Sequence, residues 1–372
     1  MMIYLDNNAT TPLDPRVKER MKPFLEEEFG NAASNHAFGW KAKDAITWAR
    51  GKVASLLNVK IDEIYFTSGA TESNHLVIQG VVLHCLFRGE IDQCHIITSN
   101  VEHKCVLGAF ERAQQLGAQV TILEADSEGC ISAEQVEQAL RPETRLVSLM
   151  YANNEVGSIN PIAEIARLCR ENSVLFHTDA AQAVGKLDLE LEHVDYLSLS
   201  AHKFNGPKGV GALYCCTRAK EKLEVLMPGG GQEDGLRSGT VNVAAVVGLG
   251  AAAEIAKNKS HRKEIAVLTE KLLCGIRKHC PDVQLNGPKE NRLLGNLNLT
   301  FPNVEVDDLE MELDEIAYSN SSACSSGQKQ GSYVLKALGL SDDLAKRSLR
   351  LGVGTFTQEK DIDNALKLFE NL

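Results

Sequence analysis

A lysine and an aspartate, Lys203 and Asp179, each stand at the end of an apolar run that predicts a buried strand. Lys203 closely follows the run 196–199 and precedes a turn rich in Gly and Pro, whereas Asp179 ends the run 173–179. Because burial disfavours a charged lysine, we expect a lowered pKa and a neutral amine that can form a Schiff base. A carboxylate and a lysine at the ends of adjacent strands can serve the ring nitrogen and the aldehyde carbon of pyridoxal phosphate (PLP). The alternative is a solvated surface lysine, the usual situation for this residue type.

The segment 66–73 predicts a phosphate site. It passes from a strand through small residues into a helix, where free backbone N–H groups and the helix dipole favour an anion. It lacks the pattern of a nucleotide P-loop, and a capped helix without ligand is the alternative. His103 follows the predicted strand 94–98 and could stack on an aromatic cofactor or shuttle protons, the alternative being a histidine satisfied by hydrogen bonds.

Asn154 and Arg350 are candidates for binding a carboxylate. Asn154 follows the apolar run 146–150, although an ordinary Asn turn explains it equally simply. Arg350 lies in the apolar, strand-like run 347–354, where a guanidinium needs an anionic partner. Its planar fork suits an amino-acid carboxylate, and a structural salt bridge is the open alternative.

Cys324 differs from the other nine cysteines because it lies in 319–331, a small and polar stretch that cannot be core. A thiol there should be exposed and able to react, unless the stretch is a linker or the thiol is incidental. The remaining cysteines show no C-x-x-C pair and no zinc-like spacing, so we expect small core residues and no metal site.

Apolar strand patterns alternate with helical patterns through the centre of the chain. This alternation predicts an α/β domain with a mostly parallel sheet, whose ligands lie at the carboxyl ends of the strands. The pattern changes near residue 255, which predicts a smaller α+β region. The elements expected there are a helix at 262–280, a strand at 296–301 and helices at 332–339 and 360–371.

Composition narrows the function classes. The chain has 372 residues with a net charge of −11, so it has no basic surplus for direct nucleic-acid binding. No apolar stretch reaches transmembrane length, and the first residues do not resemble a secretory signal. Scattered cysteines without a disulfide framework suit a reducing compartment, so we expect a cytoplasmic protein without membrane association.

Eight short segments resemble, in order, those of the NifS/IscS-like cysteine desulfurases, PLP enzymes of the class V aminotransferase family. They are 4–11, 67–73, 102–104, 153–157, 177–182, 202–203, 237–240 and 322–327. The resemblance runs nearly end to end and implies a fold type I PLP-dependent transferase. It implies a large PLP-binding domain over 15–255 with a mostly parallel seven-stranded sheet. A smaller α+β domain would comprise 1–14 and 256–372 and carry the 319–331 loop.

The resemblance also implies how the cofactor would be held. Lys203 would bind PLP covalently, Asp179 would pair with the ring nitrogen, and Gln182 would contact the ring hydroxyl. His103 would stack on the ring, close to Asn154. The phosphate would be bound by Ala70, Thr71, Ser200 and His202, and by Thr240 of the other subunit, which implies a homodimer with shared active sites.

The implied reaction removes sulfur from L-cysteine and gives L-alanine. Asn154 and Arg350 would hold the substrate carboxylate, Lys203 would act as the base, and His103 would complete the catalytic set. Cys324 would attack the sulfur and become a persulfide, which would pass to an iron–sulfur scaffold or a sulfur carrier protein. Iron–sulfur cluster assembly and tRNA thiolation are both open as destinations.

Three departures from the family accompany this resemblance. Asn320 and Ser321 replace a Ser-Gly pair, Thr355 stands where many relatives carry Arg, and the chain stops at Leu372 without the C-terminal extension of housekeeping members. The alternatives are selenocysteine lyase or another class V activity, such as transamination or amino-acid cleavage. A non-catalytic protein that binds the cofactor or docks partners is a third hypothesis.

Overall fold

The computed structural model describes residues 2–320 and 331–372. The strands are β1 Ile3–Tyr4, β2 Ile64–Thr67, β3 His95–Ser99, β4 Gln119–Leu123, β5 Thr144–Ser148, β6 Leu175–Asp179, β7 Tyr196–Ser200, β8 Gly211–Cys215, β9 Gln284–Leu285, β10 Asn296–Thr300, β11 Ile316–Ala317, β12 Ser319–Asn320 and β13 Ser348–Gly352. The α-helices are α1 Pro15–Glu26, α2 Ala37–Leu57, α3 Ala70–Phe87, α4 Lys104–Gln115, α5 Ala133–Ala139, α6 Ile162–Glu171, α7 Val243–Ala256, α8 His261–His279, α9 Val306–Glu312, α10 Tyr333–Ala337, α11 Asp342–Lys346 and α12 Glu359–Phe369.

Seven strands form the large sheet, in the order β2-β8-β7-β6-β5-β3-β4. The five strands from β7 to β4 are parallel, and β8 runs antiparallel to both of its neighbours. Successive side chains enter different cores: Ile97 and Val147 join one apolar cluster, and Ile96 and Leu146 join the other. Both faces are therefore buried, as a parallel sheet requires, and the α/β class with its mostly parallel seven-stranded sheet is confirmed.

A second, smaller sheet has the antiparallel order β12-β13-β10-β9 and packs on α8 and α12. Its core contains Leu299, Leu351 and Phe369, all almost fully buried. The predicted strand at 296–301 and the helices near 262–280 and 360–371 correspond to β10, α8 and α12. The domain boundaries at 15 and 255 stay a prediction.

The N-terminal segment, residues 3–11, lies between the two sheets. Its strand β1 pairs in parallel with β11, and Leu5 O accepts the amide of Gly352 at 2.6 Å. Farther along, the Thr11 amide donates to His202 O at 2.9 Å. The segment therefore joins the turn after β7 to strand β13.

Two of the helices that matter for the site begin differently. His103 caps α4 with its own ring nitrogen, whereas α3 starts at Gly69 without any side-chain cap. Within the described ranges 2–320 and 331–372, no helix is both long and apolar enough to span a membrane.

Candidate active site

A cavity of about 940 Å³ opens where the parallel strands end. It is lined by ten of the residues expected at the site: Ala70, Thr71, His103, Asn154, Asp179, Gln182, Ser200, His202, Lys203 and Arg350. Thr240 is exposed and does not line this cavity, and Cys324 lies outside the described residues. These side chains come from both sheets, because Arg350 belongs to β13 whereas Asp179 and Ser200 end β6 and β7.

Lys203 follows β7 in a single 3₁₀ turn, and its ammonium contacts backbone rather than a carboxylate. Nζ donates to Asn8 O and Ala9 O, each at 2.8 Å. Burial, followed by the nearby charge of Arg350, lowers the pKa of Lys203 to about 8. A substantial share of neutral amine near physiological pH agrees with the expectation from the strand-end position.

Asp179 is buried at the end of β6, with only 7% of its surface exposed. One carboxylate oxygen accepts from Asn74 Nδ2 at 2.7 Å, and the other accepts the Ala181 amide at 2.9 Å. Both donors are neutral, so the carboxylate charge is held in place without being cancelled.

His103 stands at the start of α4 beside a thiol. Its Nδ1 accepts the Cys105 amide at 3.2 Å and lies 3.0 Å from Cys105 Sγ. Burial lowers the pKa of His103, the charge of Asp179 raises it, and the charges of Lys203 and Lys104 lower it further. The ring is therefore favoured in its neutral form.

The start of α3 lies next to Ser200 and has free backbone amides. Gly69 has φ +154°, a conformation that favours glycine, and a Cβ there would lie 3.3 Å from Ser200 Oγ. His202 contacts Thr10 Oγ1 through Nδ1 at 3.1 Å, and burial followed by neighbouring lysines lowers its pKa to about 4. Uncapped amides at the N-terminus of an 18-residue helix suit a phosphate group.

Gln182 lies on the floor of the cavity and is oriented from both ends. Its Nε2 donates to Asn8 O at 2.8 Å, and its Oε1 accepts from Lys186 Nζ at 2.8 Å. Burial, reinforced by the charge of Lys203, lowers the pKa of Lys186 to about 7. The lysine therefore fixes which end of the Gln182 amide faces the N-terminal segment.

Arg350 reaches the cavity from the second sheet and is already paired. Nη2 donates to Asp6 Oδ1 at 2.8 Å and to Ser319 Oγ at 2.7 Å, and Nη1 donates to Asn154 O at 3.2 Å. Ser319 Oγ in turn donates to Asp6 Oδ1 at 2.8 Å. Nε is buried and has no hydrogen-bond partner in the described part of the chain. The structural salt bridge that the sequence left open is therefore present, and binding of a substrate carboxylate by Arg350 stays a prediction.

The rim next to 321–330 is anchored on buried groups of the large-sheet region. Ser332 Oγ bonds to a carboxylate oxygen of Glu155, and Tyr333 OH donates to Glu102 O. Burial raises the pKa of Glu155, which favours its protonated form. Asn320 and Gly331, the described residues on either side of that segment, both line the cavity.

Sequence reasoning missed Asn74, Cys105 and Asp6 as members of the site. A usable signal existed for Asn74, because it follows Thr71 by three positions and so shares its face of α3. Asp6 carried no such signal, since its partner Arg350 lies on β13, and the contact of Cys105 with Asn74 on α3 was equally invisible in the sequence.

The groups around the cavity fit PLP. Asp179 offers a buried carboxylate for a ring nitrogen, Lys203 offers an amine for the aldehyde carbon, and the uncapped start of α3 offers amides for the phosphate. The lining contains all three within one space.

Comparisons with known proteins identify the family. The aminotransferase class-V model matches residues 3–365. The cysteine desulfurase IscS of Anaeromyxobacter sp. (strain K) is 46% identical over 99% of this chain and 91% of its own length. The human cysteine desulfurase is 47% identical over 97% of this chain and 79% of its own length.

Solved structures agree with these relatives. A NifS-like protein superposes with a TM-score of 0.91 at 37% identity, covering 100% of this chain and 99% of its own. A structure described as SspA in complex with cysteine gives a TM-score of 0.86 at 38% identity, covering 95% and 99%. The chain belongs to the cysteine desulfurase family of class-V aminotransferases.

Proposed function

We propose that this cavity removes the sulfur of L-cysteine with PLP, releases L-alanine and leaves the sulfur as a persulfide on Cys324. The chain is a PLP-dependent cysteine desulfurase. The observation that carries this function is the convergence of Lys203, Asp179 and Arg350 on one cavity. Relatives named cysteine desulfurase cover the chain nearly end to end, which favours this activity over selenocysteine lyase or another class V reaction.

Cofactor binding would use the groups on the large-sheet side. Bound PLP would withdraw electrons from the substrate Cα and thereby weaken the bond between the neighbouring Cβ and the sulfur. Asp179 would hold the ring nitrogen, Gln182 the ring oxygen, and His103 the ring face, with Asn154 close by. The phosphate would be bound by Ala70, Thr71, Ser200 and His202.

Lys203 would be the base in this reaction. Its amine is neutral more often than that of an ordinary lysine because the pKa lies at about 8. Nζ can therefore take the proton from the substrate Cα and later return one. Asn8 O and Ala9 O hold the ammonium near its place of action after it has taken the proton.

Arg350 and Asn154 would position the substrate. The guanidinium binds the substrate carboxylate through Nε–H, which is open, and through donors now shared with Asp6 and Ser319. Holding the carboxylate fixes the direction of the Cα–H bond relative to Lys203 Nζ.

Cys324 would accept the sulfur. Its thiolate attacks the substrate sulfur, an S–S bond forms, the carbon–sulfur bond breaks, and the electron pair of that bond remains with the carbon that becomes alanine. His103, lining the same cavity, is suited to exchange protons with the departing groups. Asn320 and Gly331, the described residues on either side of 321–330, both line the cavity.

The test is to incubate the purified PLP-loaded protein with L-cysteine and to measure alanine and protein-bound persulfide. We expect Lys203→Ala to lower alanine formation by about 10²- to 10⁴-fold, the range for losing a general base. Cys324→Ala should lose the persulfide, whereas Cys274→Ala, at an exposed cysteine, should behave as wild type. Undiminished persulfide in Cys324→Ala would contradict the assignment of the nucleophile.

The delivery of sulfur belongs to the same proposal. We infer a homodimer in the cytoplasm, in which the exposed Thr240 completes the phosphate site of the partner subunit. The acceptor would be an iron–sulfur scaffold or a sulfur carrier protein, which leaves cluster assembly and tRNA thiolation as destinations. Light scattering of wild type and of Thr240→Arg measures the oligomeric state. We expect wild type to be a dimer and Thr240→Arg to be a monomer that has lost PLP. A monomer that keeps PLP would contradict the shared phosphate site.

A further inference from the structure

The cavity contains a thiol to which the proposed mechanism gives no task. Cys105, the second residue of α4, lines the cavity beside His103. Its Sγ lies 3.0 Å from His103 Nδ1 and 3.3 Å from Asn74 Nδ2. Asn74 in turn donates to Asp179 Oδ2 at 2.7 Å. The thiol, together with Asn74, therefore connects the Asp179 carboxylate with the His103 imidazole.

The direction of each hydrogen bond follows from the chemistry of the groups. The Cys105 amide donates to His103 Nδ1 at 3.2 Å, so Nδ1 carries no proton and acts as an acceptor. The thiol, which contacts the same nitrogen, can then only donate its S–H there. Asp179 accepts only, so Asn74 turns its NH₂ group toward it, and the same NH₂ group donates to Cys105 Sγ. The chain of donors runs from Asn74 through Cys105 to His103.

We propose that the Cys105 thiol is a positioning residue that links Asn74 and Asp179 to His103 and holds the imidazole neutral with its proton on Nε2. A neutral imidazole with Nε2–H offers the cavity a hydrogen-bond donor. Protonation would give the ring a second N–H, at Nδ1. This proton would point at the S–H and the amide that now donate to Nδ1. The inference rests on the proposed function in one part only, the catalytic role of His103.

Several charged groups act on the same imidazole. Asp179 favours the protonated ring, whereas Lys203 and Lys104 disfavour it, and burial disfavours it most. The thiol is itself kept protonated, because burial and the nearby charge of Asp179 raise the pKa of Cys105. An S–H that stays protonated remains a donor through the working pH range.

The test is a pH titration of the His103 ring by NMR in PLP-loaded protein labelled with ¹⁵N-histidine, without substrate. The signals are assigned by their absence from His103→Gln. Cys105→Ala removes the S–H donor, Cys105→Ser keeps a hydroxyl donor, and Cys130→Ala is the matched control. Cys130, like Cys105, is partly buried. Its thiol donates to the carbonyl oxygen of Ile159, and it does not line the cavity.

We expect the wild-type ring to carry its proton on Nε2. In Cys105→Ala, the pKa of His103 should rise by roughly half to one pH unit, the size expected for the loss of one neutral hydrogen bond. The pKa of His103 should rise less in Cys105→Ser, and it should equal the wild-type value in Cys130→Ala. The acid limb of the pH profile of kcat should move upward by the same amount in Cys105→Ala, because more of His103 is then protonated at a given pH.

An unchanged pKa of His103 in Cys105→Ala would overturn the inference, as would an equal rise in Cys105→Ser. Should the alanine variant fail to retain PLP, the wild-type tautomer decides, because a proton on Nδ1 is incompatible with the S–H donor. The NMR measurement needs no turnover. A failed desulfurase assay therefore contradicts the proposed function and leaves this inference to its own result.

Discussion

The two halves of the cavity satisfy their charged groups in different ways. On the large-sheet half, Asp179 accepts from two neutral donors and no cation is paired with it at those positions. On the small-sheet half, Arg350 is already paired with Asp6 at 2.8 Å and bonded to Ser319. The Asp179 carboxylate on one half has no cationic partner at its two hydrogen-bonded oxygens. The Arg350 guanidinium on the other half is paired with a carboxylate of the protein itself.

This difference indicates that the two ligands bind by different routes. A cofactor that meets Asp179, Gln182 and the start of α3 finds groups whose orientation is already set by neighbouring hydrogen bonds. Under the proposed function, a substrate carboxylate would bind the open Nε–H of Arg350 and would compete with Asp6 and Ser319 for the other donors. Preorganisation favours affinity in the first case, whereas the loss of internal contacts of Arg350 would weaken substrate binding in the second.

The largest test concerns Glu102, a fully buried carboxyl that precedes His103 in the chain and bonds to Ser99 and to the Met150 amide. Burial raises its pKa from 4.5 to about 8, so the folded protein keeps a proton that the unfolded chain releases above about pH 4.5. Its contribution to stability is fully present at low pH and is lost as the pH rises through about 8. Between pH 5 and 9, wild type should lose roughly 2–4 kcal/mol more unfolding free energy than Glu102→Gln.

Thermal unfolding of both proteins across that pH range measures this difference. The glutamine keeps an oxygen for the Ser99 hydroxyl and the Met150 amide, so the two proteins should be similar at pH 5. Parallel pH curves would contradict a neutral Glu102. They would also weaken the view that the groups on the large-sheet half are preorganised.

The second test concerns the readiness of Lys203. With a pKa of about 8, roughly one amine in ten is neutral at pH 7, so the rate of PLP uptake by the cofactor-free protein should rise about tenfold with pH and level off above pH 8–9. Stopped-flow absorbance of the bound cofactor measures this rate. A rate that continues to rise toward pH 10.5 would indicate an ordinary lysine and weaken the contrast between the two halves.

The smallest test concerns the pairing of Arg350. Asp6→Asn removes the competing charge, so we expect the KM for L-cysteine to fall about fivefold, the value of a partly exposed ion pair, with kcat nearly unchanged. Asp14→Asn is the matched control, since Asp14 pairs with Arg16 at 2.7 Å outside this cavity. A raised KM in Asp6→Asn would mean that Asp6 holds Arg350 in its binding position, so that this half is prebuilt as well.

Much of the large sheet was predictable from the sequence because its central strands contain apolar residues that are buried on both faces. Strand β8 was missed, since it follows a glycine-rich turn and begins with Gly211 and Ala212, which carry little strand preference. Its small residues have a packing reason: a Cβ on Gly211 would lie 2.7 Å from Gly69 Cα. That contact depends on two segments distant in sequence, so no local pattern indicates it.

The site was predictable where residues end strands, as Asp179 and Lys203 do. Residues that act through partners on other elements were not, because Cys105 needs Asn74 from α3 and Asp6 needs Arg350 from β13. Pairs of this kind become visible only after the elements have packed. The roles of Thr240 and Cys324 stay predictions.

The small-sheet half has a consequence for how the chain is made. Asp6 and Arg350 are separated by 344 positions, and strand β1 has its partner in Ile316–Ala317. During synthesis residues 3–6 therefore leave the ribosome well before β11 and β13, and they have no partner until those strands have been made. The strands of the large sheet, complete by Cys215, can assemble well before that. Under the proposed function, the cofactor half of the cavity would be completed before the substrate half. A chain terminated before Ile316–Ala317 would keep an unpaired β1 as a point for chaperones or proteases to engage.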